Sequence, residues 1–397
     1  MTGGERGEFA RGWPVLAASL LGVAMGVSSL YFYSLGIFIK PMAAEFGWSR
    51  GAASLGALAG TAAAALAAIP TGRLVDRIGS KRVALASLTL LALGFLGLGA
   101  LTTGLGSFLA LTVGLSLVTS GSGPVAFTRL VVAHFHRSRG LALGIVLAGT
   151  GFGAILIPAL LTPYVAVHGW RAGFYVLAGV IAVALPVLAL LLTRFDDGVR
   201  AHARDEVPLS ALMREPAFGV LVITFFLAAT AILGTVVQFV PMLSDWGLSP
   251  QAAGATTALI GVAAIAGRLI AGALIDRLPA YAVTAGMFAI AAIGLLTLGL
   301  GGAAYGPSGA LVVGLAIGAE VDLIAFLVGR HFPPTAYGKA YGTIYACFLV
   351  GGALGPALSG YLKDTTGDYR ASLFGAAALL TAASLTALRL RKFPAWA

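Results

Sequence analysis

The chain has 397 residues, of which 59% are hydrophobic and 10% are charged, and its mean hydropathy is +0.96. This composition excludes an ordinary soluble domain, in which charged residues are about 25% of the chain, and it predicts a protein that lies in a membrane. A single cysteine, Cys347, and five scattered histidines exclude a disulfide framework and a clustered metal site, so we expect no metal and no cofactor.

Twelve apolar segments are each close to the roughly 20 residues that a transmembrane helix needs. The first begins at Trp13, and it is too long to be the core of a cleaved signal peptide. The long polar interruption predicts a six-helix bundle at 1–193, a cytoplasmic linker at 194–215 and a second six-helix bundle at 216–397. The predicted spans are 13–38, 51–70, 83–103, 106–132, 140–163, 171–193, 216–241, 250–272, 281–302, 307–329, 340–362 and 371–389.

The net charge of +10 raises the question of nucleic-acid binding. Most Lys and Arg residues, however, lie in short loops on the side of the membrane that would carry both termini. By the positive-inside rule, this asymmetry predicts a multi-pass protein of the cell inner membrane with cytoplasmic termini. We therefore expect the basic loops to contact anionic lipid rather than nucleic acid, and the protein to be a monomer. The basic residues predicted on the opposite side are Lys40, Arg50, Arg171, Lys363 and Arg370.

Two sequence matches relate the first half of the chain to the second half. GRLVDR at 72–77 recurs as GALIDR at 272–277, an offset of 200 residues. HF…GLALG at 134–144 recurs as HF…GKAYG at 331–342, at offsets of 197 to 198 residues. A parallel duplication of six helices is a known plan of secondary transporters.

The loop GRLVDRIGSKR, at 72–82, resembles the signature of the major facilitator superfamily. The resemblance implies an all-α membrane protein, with twelve transmembrane helices in two six-helix bundles around a central cavity. Charged residues of this loop and of its repeat could form ion networks that break and reform as the halves move. A charged turn that only sets the membrane topology is the alternative. The candidate gating residues in the two loops are Asp76, Arg77, Arg82, Asp276 and Arg277.

Two longer blocks resemble the monocarboxylate transporter family and its bacterial relatives, including oxalate/formate exchangers. They are GWPVLAASLLGVAMGVSSLYFYSLGIFIKPMAAEFGWSR, at 12–50, and the region at 134–180. The resemblance implies a secondary active transporter and not an enzyme. Its expected substrate is a small monocarboxylate of the lactate or pyruvate type, moved by alternating access with a coupled proton. Drug or metabolite efflux and organic-anion exchange are the alternatives.

Arg268 lies within the eighth predicted span, where a charged side chain costs about 2.5 to 3.5 kcal/mol and therefore needs a cavity or a partner. It is not repeated, because Ala68 stands at the corresponding position. A guanidinium presents a planar fork of donors that matches a carboxylate. The monocarboxylate family has a substrate-binding Arg in this helix, so we expect Arg268 to bind the substrate. A structural ion pair with an acid of the tenth span is the alternative.

Glu320 and Asp322 are the acids within the tenth predicted span. In animal members of the resembled family an Asp precedes the Arg by one turn and serves proton coupling, but Ala264 stands there in this chain. One of the two acids could carry the proton instead. Residues two apart on a helix point in different directions, so at most one faces the substrate. Glu320 is the freer candidate, and a structural ion pair is the alternative for either acid.

Four further residues complete the predicted site. Tyr33 and Tyr345 could donate hydrogen bonds to the substrate. Phe348 stands where oxalate exchangers carry a Lys, which favours one carboxylate over two. Arg129 lies near the cytoplasmic boundary of its span, so we predict that it acts at the gate and not as a substrate ligand.

Overall fold

The structure is a computed structural model and describes residues 3–48, 50–193 and 207–392. Apolar, Ala- and Leu-rich runs give these residues an almost wholly helical conformation. The predicted linker at 194–215 lies outside the described residues as far as residue 206. In chain order the helices are α1 (Gly3–Met25), α2 (Leu30–Phe46), α3 (Arg50–Ile78), α4 (Ser80–Leu101), α5 (Leu105–Thr119), α6 (Pro124–His134), α7 (Arg139–Thr193), α8 (Leu209–Arg214), α9 (Pro216–Asp245), α10 (Pro250–Ile275), α11 (Ala280–Gly301), α12 (Gly306–His331), α13 (Tyr337–Thr366) and α14 (Arg370–Leu388).

Ten segments of the described residues are long and apolar enough to cross a bilayer. Two of them, Arg139–Thr193 with 55 residues and Ala280–His331 with 52, exceed twice the roughly 20 residues that one crossing needs. Gly169 interrupts the first with φ 81° and ψ 166°, and a 3-10 turn at Gly302–Tyr305 interrupts the second. Each long segment is therefore long enough for two crossings, and the ten segments of the described residues are consistent with the twelve crossings that the sequence predicts.

The first and fourth crossings are interrupted where the sequence predicts continuous spans. Helices α1 and α2 make up the first crossing, and α5 and α6 make up the fourth. Pro124 begins α6 because its fixed φ suits a first helical position and its missing N–H would have no partner there. The two interruptions meet, since the Val27 amide donates to the Ser122 hydroxyl at 3.1 Å.

Packing divides the chain into two units. Unit 1 takes its described residues from Met1–Arg137, Ile145–Glu206 and Pro334–Ala346. Unit 2 takes them from Ser138–Gly144, Val207–Pro333 and Cys347–Ala397. The units follow the two sequence halves except for two short segments, at the start of α7 and around the start of α13. Each of these segments packs within the unit formed mainly by the other half.

Aromatic side chains fill the centre of unit 1. The rings of Phe38 and Phe174 stack with their centroids 3.9 Å apart, and Phe95 lies 6.1 Å from Phe174. All three are fully buried, so they contribute close van der Waals packing and favourable ring geometry, which hold helices together within a membrane. This packing joins α2, α4 and the second crossing of α7.

Small residues set the approach of α10 to α12 in unit 2. A side chain added to Gly318 would collide with the backbone carbonyl of Ala264, and one added to Gly267 would collide with the carbonyl of Leu315. Such positions let two helix backbones come close together within a membrane. One turn beyond Gly318 and Ala264 lie Asp322 and Arg268, so the close packing of the backbones brings the two charged residues within reach.

Candidate functional site

Arg268 and Asp322 form an ion pair within unit 2. The Arg268 Nη1 atom donates to Asp322 Oδ1 at 2.8 Å. The Asp322 side chain is fully buried, whereas 12% of the Arg268 side chain is exposed. The ion pair with an acid of the tenth span, left open by the sequence, is therefore present in this structure.

The hydrogen bonding of this pair is incomplete. The second carboxylate oxygen of Asp322 is buried and has no hydrogen-bond partner among the described residues. It lies beside Gly144, where an added Cβ would be 3.5 Å from Asp322 Oδ2 and 2.6 Å from the Arg268 carbonyl. A buried charge whose acceptor sites are not all filled is expensive. Asp322 is therefore held by the guanidinium and by little else.

Glu320 has a different environment from Asp322, as their spacing on α12 predicts. Its side chain is fully buried, and neither carboxyl oxygen has a hydrogen-bond partner within the described part of the chain. An ionised carboxylate in such a place would lack the hydrogen bonds that normally accompany burial. The structure thus separates the two acids, with Asp322 on the guanidinium and Glu320 enclosed within the unit.

The three uncharged candidates lie on α2 and α13. Tyr33 is partly exposed and packs edge-on against Phe32, with ring centroids 5.4 Å apart. Tyr345 is partly exposed and stacks on Tyr341 at 5.6 Å. Phe348 is 6% exposed. Tyr33 and Tyr345 belong to unit 1, whereas Phe348 belongs to unit 2, as Arg268 does.

Asp76 binds the start of α13 within unit 1. Its two carboxylate oxygens accept the backbone N–H groups of Gly338 and Lys339, each at 2.8 Å. These donors are in the first turn of a helix, where N–H groups have no partner within the helix and the helix dipole favours a negative charge. Arg129 donates to Asp76 at 3.0 Å and to the Val75 carbonyl at 2.6 Å.

Asp276 makes the equivalent contact at the start of α7, within unit 2. It accepts the backbone N–H groups of Gly140 at 2.6 Å and of Leu141 at 2.9 Å. Close backbone approach accompanies both contacts, because a Cβ added to Gly140 would meet Gly272 and one added to Gly338 would meet Gly72. The two acids of the repeated motif therefore do the same work. The other predicted gating residues, Arg77, Arg82 and Arg277, are exposed.

A sequence profile of the Major Facilitator Superfamily matches residues 21–325 of the chain. The chain belongs to this superfamily. The predicted all-α facilitator fold is confirmed, and the protein is a multi-pass membrane transporter rather than an enzyme.

Comparisons with individual proteins support the same assignment. Human monocarboxylate transporter 11 is 29% identical, over 94% of this chain and 81% of its own length. Bovine monocarboxylate transporter 13 is 28% identical, over 96% of this chain and 90% of its own length. The crystal structure of the Escherichia coli fucose:proton symporter superposes with a TM-score of 0.77 at 17% identity, over 94% of this chain and 97% of that one. The resemblance to monocarboxylate transporters is thus confirmed.

Sequence reasoning about this facilitator missed the partners of Asp76 and Asp276. It expected charged side chains as their partners, and Arg129 is such a partner of Asp76, but it did not foresee that both acids also bind backbone N–H groups at helix starts. The signal was present, because the second repeat match, at 134–144 and 331–342, contains both helix starts. One repeat match therefore contained the acids, and the other contained the helix starts that they bind.

Proposed function

We propose that this protein is a secondary active transporter that moves a small monocarboxylate, such as lactate or pyruvate, by alternating access. It acts at the cell inner membrane, with both termini in the cytoplasm, and couples each substrate to a proton. The observation that carries the proposal is the Arg268–Asp322 pair, a partly exposed guanidinium held by one buried carboxylate. The names of its monocarboxylate transporter relatives point to the same class of substrate.

The proposed exchange at Arg268 conserves charge. Before substrate binds, the guanidinium pairs with ionised Asp322. The substrate carboxylate then replaces Asp322 on the guanidinium, and Asp322 accepts a proton. The site holds the same net charge before and after, which avoids an uncompensated charge within the membrane. Departure of the substrate and the proton restores the original pair.

The other predicted residues have supporting roles in this proposal. Tyr33 and Tyr345 donate hydrogen bonds to the substrate, and Phe348 excludes a second carboxylate. Glu320 is an alternative proton carrier, and its burial without a hydrogen-bond partner keeps that role open.

The acids of the two motif loops serve as the gate. Asp76, supported by Arg129, holds the start of α13, and Asp276 holds the start of α7. Their release would accompany the movement of two six-helix domains, which we place at 1–193 and 216–397 with the linker at 194–215. Arg77, Arg82 and Arg277 lie beside these contacts in sequence and act with them.

A second candidate function is efflux of a cationic drug or metabolite. Glu320 favours it, because a buried carboxyl group without a hydrogen-bond partner is the kind of group that a cation would bind. In that case Arg268 would be only the structural partner of Asp322.

Uptake into proteoliposomes separates the two functions. Labelled pyruvate or lactate would be offered with and without an inward proton gradient. We expect the gradient to stimulate uptake, and Arg268→Ala to reduce uptake about 100-fold because a charge-assisted, bidentate contact is lost. Arg214→Ala is the matched control, since Arg214 is an exposed Arg of the short helix α8. Unaltered carboxylate uptake by Arg268→Ala would defeat the proposal.

A further inference from the structure

Unit 1 contains a polar clasp at the end of its helices opposite Asp76, which we term the far end. The indole N–H of Trp170 donates to Glu45 Oε2 at 2.6 Å, and Arg171 Nη1 donates to Glu45 Oε1 at 2.7 Å. The Arg171 guanidinium also lies 4.1 Å from the centroid of the Trp170 ring. One carboxylate at the end of α2 thus holds the turn between the two crossings of α7.

Unit 2 contains a corresponding clasp at the end of its helices opposite Asp276. Trp246, directly after α9, donates its indole N–H to Asp368 Oδ1 at 3.2 Å. Asp368 lies in the turn between α13 and α14 and also accepts the Tyr369 backbone N–H at 2.7 Å. Compared with the clasp of unit 1, donor and acceptor have exchanged places. In unit 2 the indole is at the helix end and the acid is in the turn.

Glycine positions show that the two clasps occupy equivalent places in the internal repeat. Gly47 and Gly247, beside the helix ends, are 200 residues apart, with φ of 68° and 93°. Gly169 and Gly367, in the turns, are 198 residues apart, with φ of 81° and 77°. These values lie in the left-handed region, which glycine adopts without the cost that a side chain would add. The two turns therefore match in position and backbone shape, while the side chains that hold them differ.

The clasps act on the same helices as the gating acids. The first crossing of α7 and the whole of α13 each begin at a contact with Asp276 or Asp76. Each of these helices also changes from one packing unit to the other along its length, near residues 144 and 346. Each is therefore held at its start by a backbone cap and at its far end by an indole–carboxylate bond.

We infer that Glu45, Trp170, Trp246 and Asp368 are positioning residues of the transport cycle. They hold the far ends of the first crossing of α7 and of α13 in place while the starts of these helices are released by the gating acids. This role rests on the transport function proposed above. The clasp bonds involve other residues than the backbone caps, so release of the caps at Asp76 and Asp276 breaks none of the clasp bonds.

Hydrogen exchange measured on the reconstituted protein tests this role without substrate. Asp276→Asn releases the start of α7, and we expect faster amide exchange confined to about residues 139–147. Trp170→Phe keeps the aromatic ring and removes the N–H. In the double variant, the faster exchange should extend to residue 168, with amide exchange rates about tenfold higher than in Asp276→Asn alone. Asp76→Asn with and without Trp246→Phe gives the same comparison along α13, from residue 338 to residue 366.

Trp48→Phe is the matched control, because Trp48 lies just after the end of α2, where it stacks on Phe46 and packs at a tilt against Phe108. Its removal should not spread the exchange. The inference is overturned if Asp276→Asn alone accelerates exchange along the whole crossing, or if Trp170→Phe adds no more than Trp48→Phe does.

Transport kinetics separate this inference from the proposed function. Trp170→Phe and Trp246→Phe should each lower the turnover number per folded molecule about five- to tenfold while KM for pyruvate stays within about twofold. If the wild type takes up pyruvate and both variants keep its turnover number, the clasps have no positioning role in transport and are only local packing contacts. That result would not contradict the proposed function. Absence of carboxylate uptake in the wild type would overturn the proposed function, and hydrogen exchange would still decide whether the clasps hold the helix ends.

Discussion

The protein contains two buried Arg–Asp pairs with similar geometry. They differ in how many hydrogen bonds the aspartate oxygens accept. Arg129 lies 3.0 Å from Asp76 and Arg268 lies 2.8 Å from Asp322, and both arginine side chains are 12% exposed. Asp76, however, also accepts two backbone N–H groups, whereas the second oxygen of Asp322 has no partner within the described residues. The similar ion-pair distances therefore conceal one saturated contact, suited to a gate, and one exchangeable contact, suited to a ligand.

Removing the arginine from each pair should have the largest effect on stability, and the two losses in the free energy of unfolding should differ. Arg268→Ala leaves Asp322 without compensation and should lower the free energy of unfolding by about 3 to 5 kcal/mol. Arg129→Ala leaves Asp76 on its two N–H donors and should cost about 1 to 3 kcal/mol. Chemical unfolding in one detergent measures both variants, and a larger loss for Arg129→Ala would contradict the distinction.

Neutralising the acid of each pair should separate coupling from gating. In Asp322→Asn, the factor by which a proton gradient stimulates uptake should fall about tenfold. Exchange of substrate across the membrane should persist, because the guanidinium remains. Asp76→Asn should keep the stimulation and lower the turnover number several-fold at unchanged KM. Initial rates of pyruvate uptake with and without the gradient measure these effects. Equal loss of stimulation in both variants would remove the distinction.

A change at Phe348 sharpens the account of the exchangeable pair. Phe348→Lys adds a second cation and should raise oxalate uptake relative to pyruvate uptake by about five- to tenfold, since each charge-assisted contact is worth about 1.5 to 3 kcal/mol before desolvation is subtracted. Phe348→Leu is the control, because it changes the size of the side chain without adding charge. A similar gain of oxalate uptake in both variants would show that space, and not charge, sets the preference.

The smallest expected effect on stability concerns the Glu45–Arg171 ion pair, which is exposed, whereas the two Arg–Asp pairs are buried. Hydrogen bonds from Trp170 and then Arg171 lower the pKa of Glu45. Ionised Glu45 therefore stabilises the folded protein above the ordinary carboxyl pKa, and this contribution is lost as the pH falls through the lowered value. Thermal unfolding should place wild type slightly above Glu45→Gln at pH 7, with the difference disappearing as the pH falls below the lowered pKa of Glu45. A difference that grows in acid would contradict this sign.

The sequence predicted an all-α membrane protein, and the ten long apolar segments are consistent with its twelve predicted crossings, because apolar runs of sufficient length are a property of composition. It also identified Arg268 and Asp322, since a charge within an apolar run is visible without coordinates, and it identified Asp76 from the repeated loop motif at 72–77. It could not decide between Glu320 and Asp322 as the partner of Arg268. That choice depends on the close approach of two helix backbones at Gly318 and Ala264, which is a tertiary contact.

The interruptions of the first and fourth crossings were also missed. They depend on the hydroxyl of Ser122 replacing a helical hydrogen bond for Val27, a partner 95 residues away in sequence. The clasps were missed for a similar reason, because their donors and acceptors exchange places between the halves. A search for repeated residue types therefore finds only the glycines beside them.

Infrared difference spectroscopy of the reconstituted protein tests most directly whether substrate replaces Asp322 on Arg268. Adding pyruvate should produce a new band from a protonated carboxyl group. The band should persist in Glu320→Gln and be absent from both Asp322→Asn and Arg268→Ala. A band that disappears in Glu320→Gln and persists in Asp322→Asn would assign the proton to the enclosed acid. It would leave the Arg268–Asp322 pair as a fixed structural contact.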